Sequence, residues 1–423
     1  MGELKHAALL IPVLLALTLL EYWVSRRKNV QAYSFSDTMV NICCGMLERL
    51  FDLFWVVMLY FVFKFLYEHV APWQLPSNPL VWIIALFVGD FLAYWHHRLS
   101  HEINVFWAAH IVHHQSEELN ISTVFRVSAF AVINRSFFWI WLPIAGFSPE
   151  VTTSVLVFIG AFQLVTHTRL VGKLGWLEYL FVTPSHHRVH HARNEKYLDK
   201  NYGHVFIIWD KMLGTFVEED EEPDYGITTG FDSANPYRAY LHYWGELFRK
   251  AKETPRWQDK LKVFISPPDF QPAGAAPTPS EYQVDAQGRR VKQHIDVPFR
   301  VQLYLFFNVP VTLAAFVALM QLKYSLSALQ ITTLCVLVAF SALSHGLTIE
   351  QRRRALAAEY ARLALLFLAA PLLLWTLPYS WVWIPLAWFM TAVFTVWFLR
   401  LRNYFSDRSK AAVPAAPQVA HAS

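Results

Sequence analysis

Long apolar runs dominate the chain and predict helices that cross a membrane. A spanning helix needs about 17–25 residues, so several of these runs are close to the minimum length. The first run is longer than the apolar region of a signal peptide and has no small-residue cleavage site, which favours an uncleaved anchor. The nine runs cover residues 7–24, 51–67, 78–95, 129–146, 150–166, 301–320, 328–347, 363–377 and 380–399. The pattern therefore predicts an all-α, multi-pass transmembrane protein with about nine spans.

The composition agrees with a membrane protein, and the distribution of basic residues predicts its orientation. Hydrophobic residues make up 55% of the chain and charged residues 16%, whereas soluble domains carry about 25% charged residues. Lys and Arg concentrate in every second loop, namely 25–50, 167–300, 348–362 and the C-terminal tail. By the positive-inside rule these loops are cytosolic and the N-terminus lies outside. No basic stripe alternates with stacking aromatics, so the net charge of +4 does not indicate a nucleic-acid partner.

Histidines cluster at the ends of predicted spans. Twelve of the 18 histidines fall between residues 96 and 204. They form one H-x-x-x-H motif and two H-x-x-H-H motifs, and residues at i, i+3 and i+4 share one face of a helix. We expect each motif to point its imidazoles at a common centre on the cytosolic side. The predicted ligands are His97, His101, His110, His113, His114, His187, His190 and His191, with His167 at the end of the fifth span as a ninth.

A metal centre explains this clustering better than a set of surface histidines. Eight cationic imidazoles packed together would repel one another, and a metal that holds them neutral removes this cost. Imidazole nitrogen suits iron, zinc, copper and nickel. Eight or nine ligands are enough for two metals with positions left open, as a catalytic site requires. The sequence thus predicts a histidine-rich di-metal cap on the cytosolic side of the spans.

Polar residues beside the motifs are candidates for supporting roles. Asp90 lies within the third predicted span, where a charge is costly and usually functional, and we expect it to accept an N–H from a ligand histidine. Glu102 is a candidate ligand or proton carrier, or is merely solvated. Arg135 within a span either pairs or reaches the interface. Further residues that could orient the ligands are Asn120, Arg126, Asn194, Asn201, Asp210, His96, His186 and His204.

The three motifs together resemble those of a known superfamily. Their spacing after transmembrane spans is similar to that of the fatty acid hydroxylase and sterol desaturase superfamily, whose members hold a histidine-ligated di-iron centre. The stretches "DFLAYWHHRLSHEINVFWAAHIVHHQSEELNISTVFR" and "TPSHHRVHHARNEKYLDKNYGHVFIIWDKMLGTF" resemble its alkylglycerol monooxygenase branch most. The resemblance implies that the eight motif histidines bind iron and that Glu102 is needed for activity.

The resemblance also implies a reaction and its requirements. Members of that branch cleave the ether bond of glycerol ether lipids with oxygen and tetrahydrobiopterin. The sequence contains no His-Pro-Gly-Gly stretch, which would indicate a fused cytochrome. We therefore expect a separate electron donor or a reduced pterin. The main alternative is a sterol or fatty-acyl lipid hydroxylase or desaturase that uses a ferredoxin- or cytochrome-type donor. A metal transporter or sensor is the alternative from another class. Transporters, however, tend to place ligands at the bilayer midplane, whereas these histidines lie at span ends.

The domain organisation follows from the same features. We expect N-terminal membrane spans over 1–77, a di-iron catalytic domain over 78–250 and a Pro/Ala-rich linker over 251–300. C-terminal spans are expected over 301–405, followed by a disordered tail over 406–423.

Overall fold

The structure is a computed structural model, and it describes residues 10–278, 283–284, 290–292 and 295–405. The predicted tail at 406–423 lies outside the described residues. The helices, numbered in chain order, are α1 Leu10–Arg27, α2 Phe35–His69, α3 Pro79–Glu102, α4 Asn104–His114, α5 Ala131–Trp139, α6 Trp141–Ile144, α7 Pro149–Thr166, α8 Pro184–His191, α9 Ile208–Leu213, α10 Pro236–Glu253, α11 Trp257–Ile265, α12 Phe299–Leu322, α13 Ala328–Ile349, α14 Arg354–Leu374 and α15 Ser380–Leu401.

The described residues contain seven helices that are long and apolar enough to cross a membrane, not nine. These are α2, α3, α7 and α12 to α15, and they confirm the all-α, multi-pass membrane architecture. The predicted span at 51–67 is the second half of the 35-residue α2. The predicted span at 7–24 overlaps α1, which is not one of the seven. The second half of α1 carries Glu21, Arg26 and Arg27, and Glu21 is buried.

The expectation of one uninterrupted span at 129–146 is wrong. This stretch forms α5 and α6, of nine and four residues. Pro143 explains the break, because it has no N–H to donate to the carbonyl of Trp139 and its ring clashes with that carbonyl. The stretch nevertheless runs from the level at which α3 ends to the level at which α3 and α7 begin. It starts beside α4 and ends at Gly146, whose carbonyl accepts the Leu75 N–H at 2.9 Å.

Side-chain caps and a close helix crossing fix the helices that lead to the histidines. The Asn78 side chain accepts the Val81 N–H at the start of α3, and Pro79 follows it at the first turn. Pro at that position loses no hydrogen bond and has a helical φ already. Gly89 lets α3 approach α7, because a Cβ there would come within 2.7 Å of Cγ1 of Val155. His101 lies in the last turn of α3, and His167 directly follows α7, so the two packed helices end beside each other.

The C-terminal helices pack against one another and against α2. Helices α12 to α15 pack in sequence, and α13 also packs against α2. Within the expected linker at 251–300, α11 forms a regular helix. The antiparallel strands β1 Gln283–Val284 and β2 Arg290–Val291 also lie there. The Pro-rich stretch 266–278 has no helix or strand.

Candidate metal centre

All nine predicted ligand histidines converge, and they do so as two groups. Within each group, one ligand atom of every residue lies within 4.8 Å of the others. The groups adjoin, since the ring centroids of His114 and His191 are 4.6 Å apart. Group one consists of His97, His101, His110, His114 and His190, and group two of His113, His167, His187 and His191.

Each H-x-x-H-H motif is divided between the two groups, although its three histidines share one side of a helix. In α4, His110 and His114 belong to group one, and His113 belongs to group two. In α8 the i, i+4 pair His187 and His191 belongs to group two, and His190 belongs to group one. Residues at i and i+4 lie one above the other, whereas i+3 lies to their side. The two helices therefore run between the centres and contribute to both.

The Nε2 atoms meet at the middle of each group. In group one, Nε2 of His110 is 3.1 Å from Nε2 of both His97 and His114. In group two, Nε2 of His187 is 2.9 Å from Nε2 of His167 and 3.0 Å from Nε2 of His191.

Backbone carbonyls orient three of these rings. Nδ1 of His97 donates to the carbonyl of Tyr202 at 2.8 Å, and Nδ1 of His190 donates to the carbonyl of Lys200 at 3.0 Å. In group two, Nδ1 of His167 donates to the carbonyl of Gln163 at 2.7 Å. A carbonyl oxygen can only accept, so each Nδ1 carries the hydrogen and each Nε2 keeps its lone pair. This is the tautomer that a metal bound at Nε2 requires.

The turn that supplies two of these carbonyls is held in an uncommon backbone conformation. Asp199 and Asn201 have φ of 57° and 55°, a region that residues other than glycine enter rarely. The Asn201 side chain donates to the carbonyls of His186 and Val217, which stabilises this conformation. Asp199 also accepts from Nδ1 of His101 at 3.3 Å. One turn thus contacts three histidines of group one.

Two buried carboxylates pin the segment that follows this turn. Asp210 accepts the N–H groups of Tyr202 and Gly203, both at 2.8 Å. Asp90 accepts the N–H groups of Val205 and Phe206 at 2.8 and 3.1 Å, and Trp209 Nε1–H at 2.9 Å. The expectation that Asp90 accepts from a ligand histidine is therefore wrong. Its side chain lies within α3 and reaches the backbone of a neighbouring loop, which sequence spacing cannot show.

The donor atoms fit metal ions bound in both groups. The Nε2 atoms of His101 and His190 are buried and have no hydrogen-bond partner, although buried polar atoms nearly always have one. Burial, with the neighbouring imidazoles, holds the pKa of His110, His114, His187 and His190 well below the usual range. Neutral imidazole is the form that binds a metal.

Aromatic rings close the sides of group one. Trp107 packs on His101 and His114, with ring centroids 4.9 and 5.6 Å apart. The buried Tyr202 ring lies 5.3 Å from that of His101 and 5.9 Å from that of His190. These rings limit the access of water to the ligands.

Glu102 does not join either group. Its carboxylate accepts from Nε of Arg98 at 2.8 Å, and its side chain is 41% exposed. The structure does not support Glu102 as a metal ligand, and its requirement for activity stays a prediction.

The other polar candidates support the ligand helices indirectly or contact other parts of the protein. Arg126 donates to the carbonyl of Val112 in α4 and to Asp37 in α2, so it anchors the helix that carries three ligands. Arg135 pairs with Glu48 and Asp52 rather than reaching the interface.

Asn120 and Asn194 have no hydrogen bond to the nine histidines. Asn120 caps the 3₁₀ helix Ile121–Phe125, and Asn194 bonds to the segment 221–224. His96 packs on Phe138.

His186 and His204 are also outside the two groups. His186 lies beside Phe216, and the His204 ring is 4.9 Å from that of His97. Burial lowers the pKa of His204 to about 4.

Sequence reasoning missed Gln163, Lys200 and Tyr202, whose contribution is a backbone carbonyl. A carbonyl has no residue-type signature, so nothing in the sequence marks them. It also missed Glu21, which accepts the Ile121 N–H at 2.7 Å and a hydrogen bond from Thr168, next to His167.

Comparison with known proteins agrees with this geometry. Residues 82–215 match the family model for fatty acid hydroxylase. The human alkylglycerol monooxygenase is 32% identical over 361 residues, which are 84% of this chain and 80% of the human protein. The Danio rerio alkylglycerol monooxygenase is 31% identical over 86% of this chain and 82% of its own length.

A more distant relative is the ornithine lipid hydroxylase of Rhizobium tropici, which is 32% identical over 38% of this chain and 50% of its own length. No solved structure matches this chain. The similarity to the alkylglycerol monooxygenases covers 84% and 86% of this chain, well beyond the histidine motifs. This chain belongs to the alkylglycerol monooxygenase family.

Proposed function

We propose that this chain is an oxygen-dependent di-iron monooxygenase that cleaves O-alkyl glycerol lipids. The observation that carries the proposal is the convergence of nine imidazoles, seven of them buried, into two adjoining groups in a chain of this family. Lipid substrates are supported by the names of both the alkylglycerol monooxygenases and the ornithine lipid hydroxylase. The domain that holds the centre is proposed to be residues 78–250, which enclose the matched 82–215.

Each group is proposed to hold one iron, group one through five histidines and group two through four. Imidazole nitrogen suits iron as well as zinc, and oxidation of a C–H bond requires the redox-active metal of the two. Bound iron would supply the activation of oxygen. The carbonyls of Tyr202, Lys200 and Gln163 keep the ligand rings in the required tautomer.

The substrate carbon attacked is proposed to be the one next to the ether oxygen. One oxygen atom of O₂ enters its C–H bond, and the other leaves as water with two electrons and two protons from a reductant. We propose tetrahydrobiopterin as that reductant. The product is a hemiacetal, whose C–O bond breaks to give an aldehyde and a free glycerol hydroxyl. The neighbouring rings of Trp107 and Tyr202 restrict water around the ligands.

The active site is proposed to face the cytosol, in a bacterial inner membrane or an endoplasmic reticulum membrane. Basic residues concentrate in the loops on the side where α3 and α7 end, and such loops are retained in the cytosol. A lipid at this depth can remain in its leaflet while one chain carbon reaches the centre.

Purified protein in detergent tests the proposal. We expect two irons per chain by mass spectrometry, and release of a fatty aldehyde from an O-alkylglycerol only when O₂ and tetrahydrobiopterin are both present. His113→Ala and His190→Ala, one for each group, should lose iron and turnover. His69→Ala, an exposed histidine at the end of α2, is the matched control. Two zincs without iron in every preparation would overturn the di-iron assignment.

The second candidate is a hydroxylase of another lipid class that uses a ferredoxin- or cytochrome-type donor. The match to the ornithine lipid hydroxylase, which covers 168 residues, supports the hydroxylation of another lipid class. The product separates the two functions. An ether-cleaving enzyme releases an aldehyde, whereas a hydroxylase leaves a lipid that is heavier by one oxygen atom.

A further inference from the structure

Helix α11 has an apolar ridge that nothing within the described residues covers. Trp257, Leu261 and Ile265 are four residues apart, so they lie on one face of the helix. Their exposed fractions are 66%, 58% and 65%. Val263, on the opposite side, is buried in the core that contains α4 and α10. The ridge therefore faces away from the protein while the helix itself is firmly packed.

The ridge continues into the surface of α10 and towards α5. The Phe248 ring lies 5.5 Å from that of Phe264 and 6.5 Å from that of Trp244. The Trp244 ring lies 5.8 Å from Phe130, the residue before α5. Phe137, about two turns further along α5, is also exposed. Phe248 is 60% exposed, whereas Phe264, Trp244 and Phe130 are half-buried against the core. Exposed apolar surfaces mark interaction sites on proteins, and the exposed surface here consists of the α11 ridge and Phe248.

Hydrogen bonds place α11 at the end of a membrane-length helix. Asn104 comes two residues after the end of α3, a candidate span. Its side chain donates to the carbonyls of Val263 and Pro267 at 2.9 and 3.1 Å, and its N–H donates to the carbonyl of Ser266 at 3.0 Å. The C-terminus of α11 is therefore at the depth where α3 leaves the bilayer, and the helix lies at the membrane surface.

The charges beside the ridge suit an anionic surface. Residues 249–262 carry six basic and two acidic side chains, and Lys252, Arg256 and Lys262 are exposed. An apolar stripe flanked by basic residues is the pattern of helices that lie in the plane of a membrane interface.

We propose that α11 and the outer face of α10 are seated in the bilayer that the spans cross. In this arrangement Trp257, Leu261 and Ile265 reach the boundary of the acyl chains, and the exposed basic side chains contact anionic phospholipid headgroups. The Asn104 hydrogen bonds join this surface anchor to the start of α4, the helix that carries His110, His113 and His114. The anchor thereby holds both histidine groups at headgroup depth.

Collision accessibility of spin labels tests the proposal without any reading of turnover. The full chain with Cys335→Ser is placed in nanodiscs of phosphatidylcholine and phosphatidylglycerol, since Cys43 and Cys44 are buried. One label is attached through Leu261→Cys on the ridge, and the matched control uses Lys262→Cys, the exposed neighbour. Oxygen concentrates among acyl chains, whereas a nickel chelate stays in water.

We expect the label at 261 to collide with oxygen in preference to the chelate, at a depth of about 5–10 Å. The label at 262 should show the reverse preference. Chelate-dominated collisions at 261 would show a ridge facing water, and shielding from both reagents would show a second protein chain covering it. Either result overturns the proposal. Ile265→Cys reports the same face if Leu261→Cys does not fold.

Discussion

The Nδ1–H of His97 donates to the backbone carbonyl of Tyr202 at 2.8 Å, across 105 positions of sequence. The carbonyl belongs to a segment whose N–H groups are held by Asp210 and Asp90. The orientation of one ligand ring thus depends on two buried carboxylates that touch no ligand. Supporting residues of this kind orient the ligands and tune the affinity for the metal.

Asp210→Asn should weaken metal binding without removing any ligand. The substitution replaces one carboxylate oxygen with an amide NH₂, which is a donor and would face the N–H of Tyr202 or Gly203, also a donor. A buried donor without an acceptor costs about 1–3 kcal/mol. We expect metal affinity to fall about 10–100-fold, measured by competition with a chelator. Glu218→Gln, on an exposed side chain, should leave the affinity unchanged. Unchanged affinity in Asp210→Asn would contradict the positioning role.

His187→Ala should empty one group and spare the other. It removes the Nε2 that lies 2.9 Å from His167 and 3.0 Å from His191, both in group two. The expected metal content falls from about two to about one per chain, with turnover reduced at least about 100-fold, which corresponds to about 2.7 kcal/mol. Mass spectrometry of the metals and an aldehyde assay provide the measurement. Loss of both metals would instead show that the groups fill together.

Glu102→Gln should separate catalysis from metal binding. Its ion pair with Arg98 is partly exposed, and such pairs contribute about 0.2–1 kcal/mol. We expect iron content and thermal stability to stay nearly unchanged while turnover falls, as the family resemblance implies. Loss of iron in this variant would contradict the observed placement outside both groups.

The metal-free protein should lose stability as the pH falls. Burial lowers the pKa of His167 and His204 to about 4, whereas an unfolded histidine titrates near about 6.5. Below about pH 6.5 the unfolded state therefore binds more protons than the folded state, so stability falls with pH down to about pH 4. Thermal unfolding of chelator-treated protein between pH 7.5 and 5 checks the sign. A melting temperature that is constant or rises on acidification would be the wrong sign for neutral buried histidines.

The stability of the C-terminal helices should depend on a buried ion pair that is far from the histidines in sequence. Arg362 donates to Glu359 at 2.5 and 2.8 Å, and Tyr304 and Ser344 also donate to that carboxylate. Arg362→Met leaves the buried Glu359 charge without compensation, at a cost of about 3–5 kcal/mol.

Thermal unfolding in detergent measures this effect. The exposed Arg400→Gln, at the end of α15, is the control and should change stability little. A stable Arg362→Met variant would show that Glu359 is neutral in the folded protein.

The helical membrane architecture and the nine converging histidines could be predicted from the sequence alone. Both depend on local periodicity. An apolar run long enough to cross a bilayer has few alternatives, and an i, i+3, i+4 spacing fixes which side chains share one side of a helix. The prediction of one span at 129–146 was wrong because an average hydropathy does not register the effect of Pro143 on the backbone. This proline breaks the helix through one missing N–H and one steric clash.

The division of the histidines between the two groups and the contacts that orient their rings depend on how the helices pack. His110 and His113 lie on one helix but belong to different groups, because α4 runs between the two centres. Asp90 bonds to a loop rather than to a histidine, and His97 is oriented by a carbonyl of Tyr202. The last two relationships join residues that are distant in the chain, and both involve backbone atoms that every residue possesses. Residue type and spacing carry no information about such contacts, which exist only once the helices have packed.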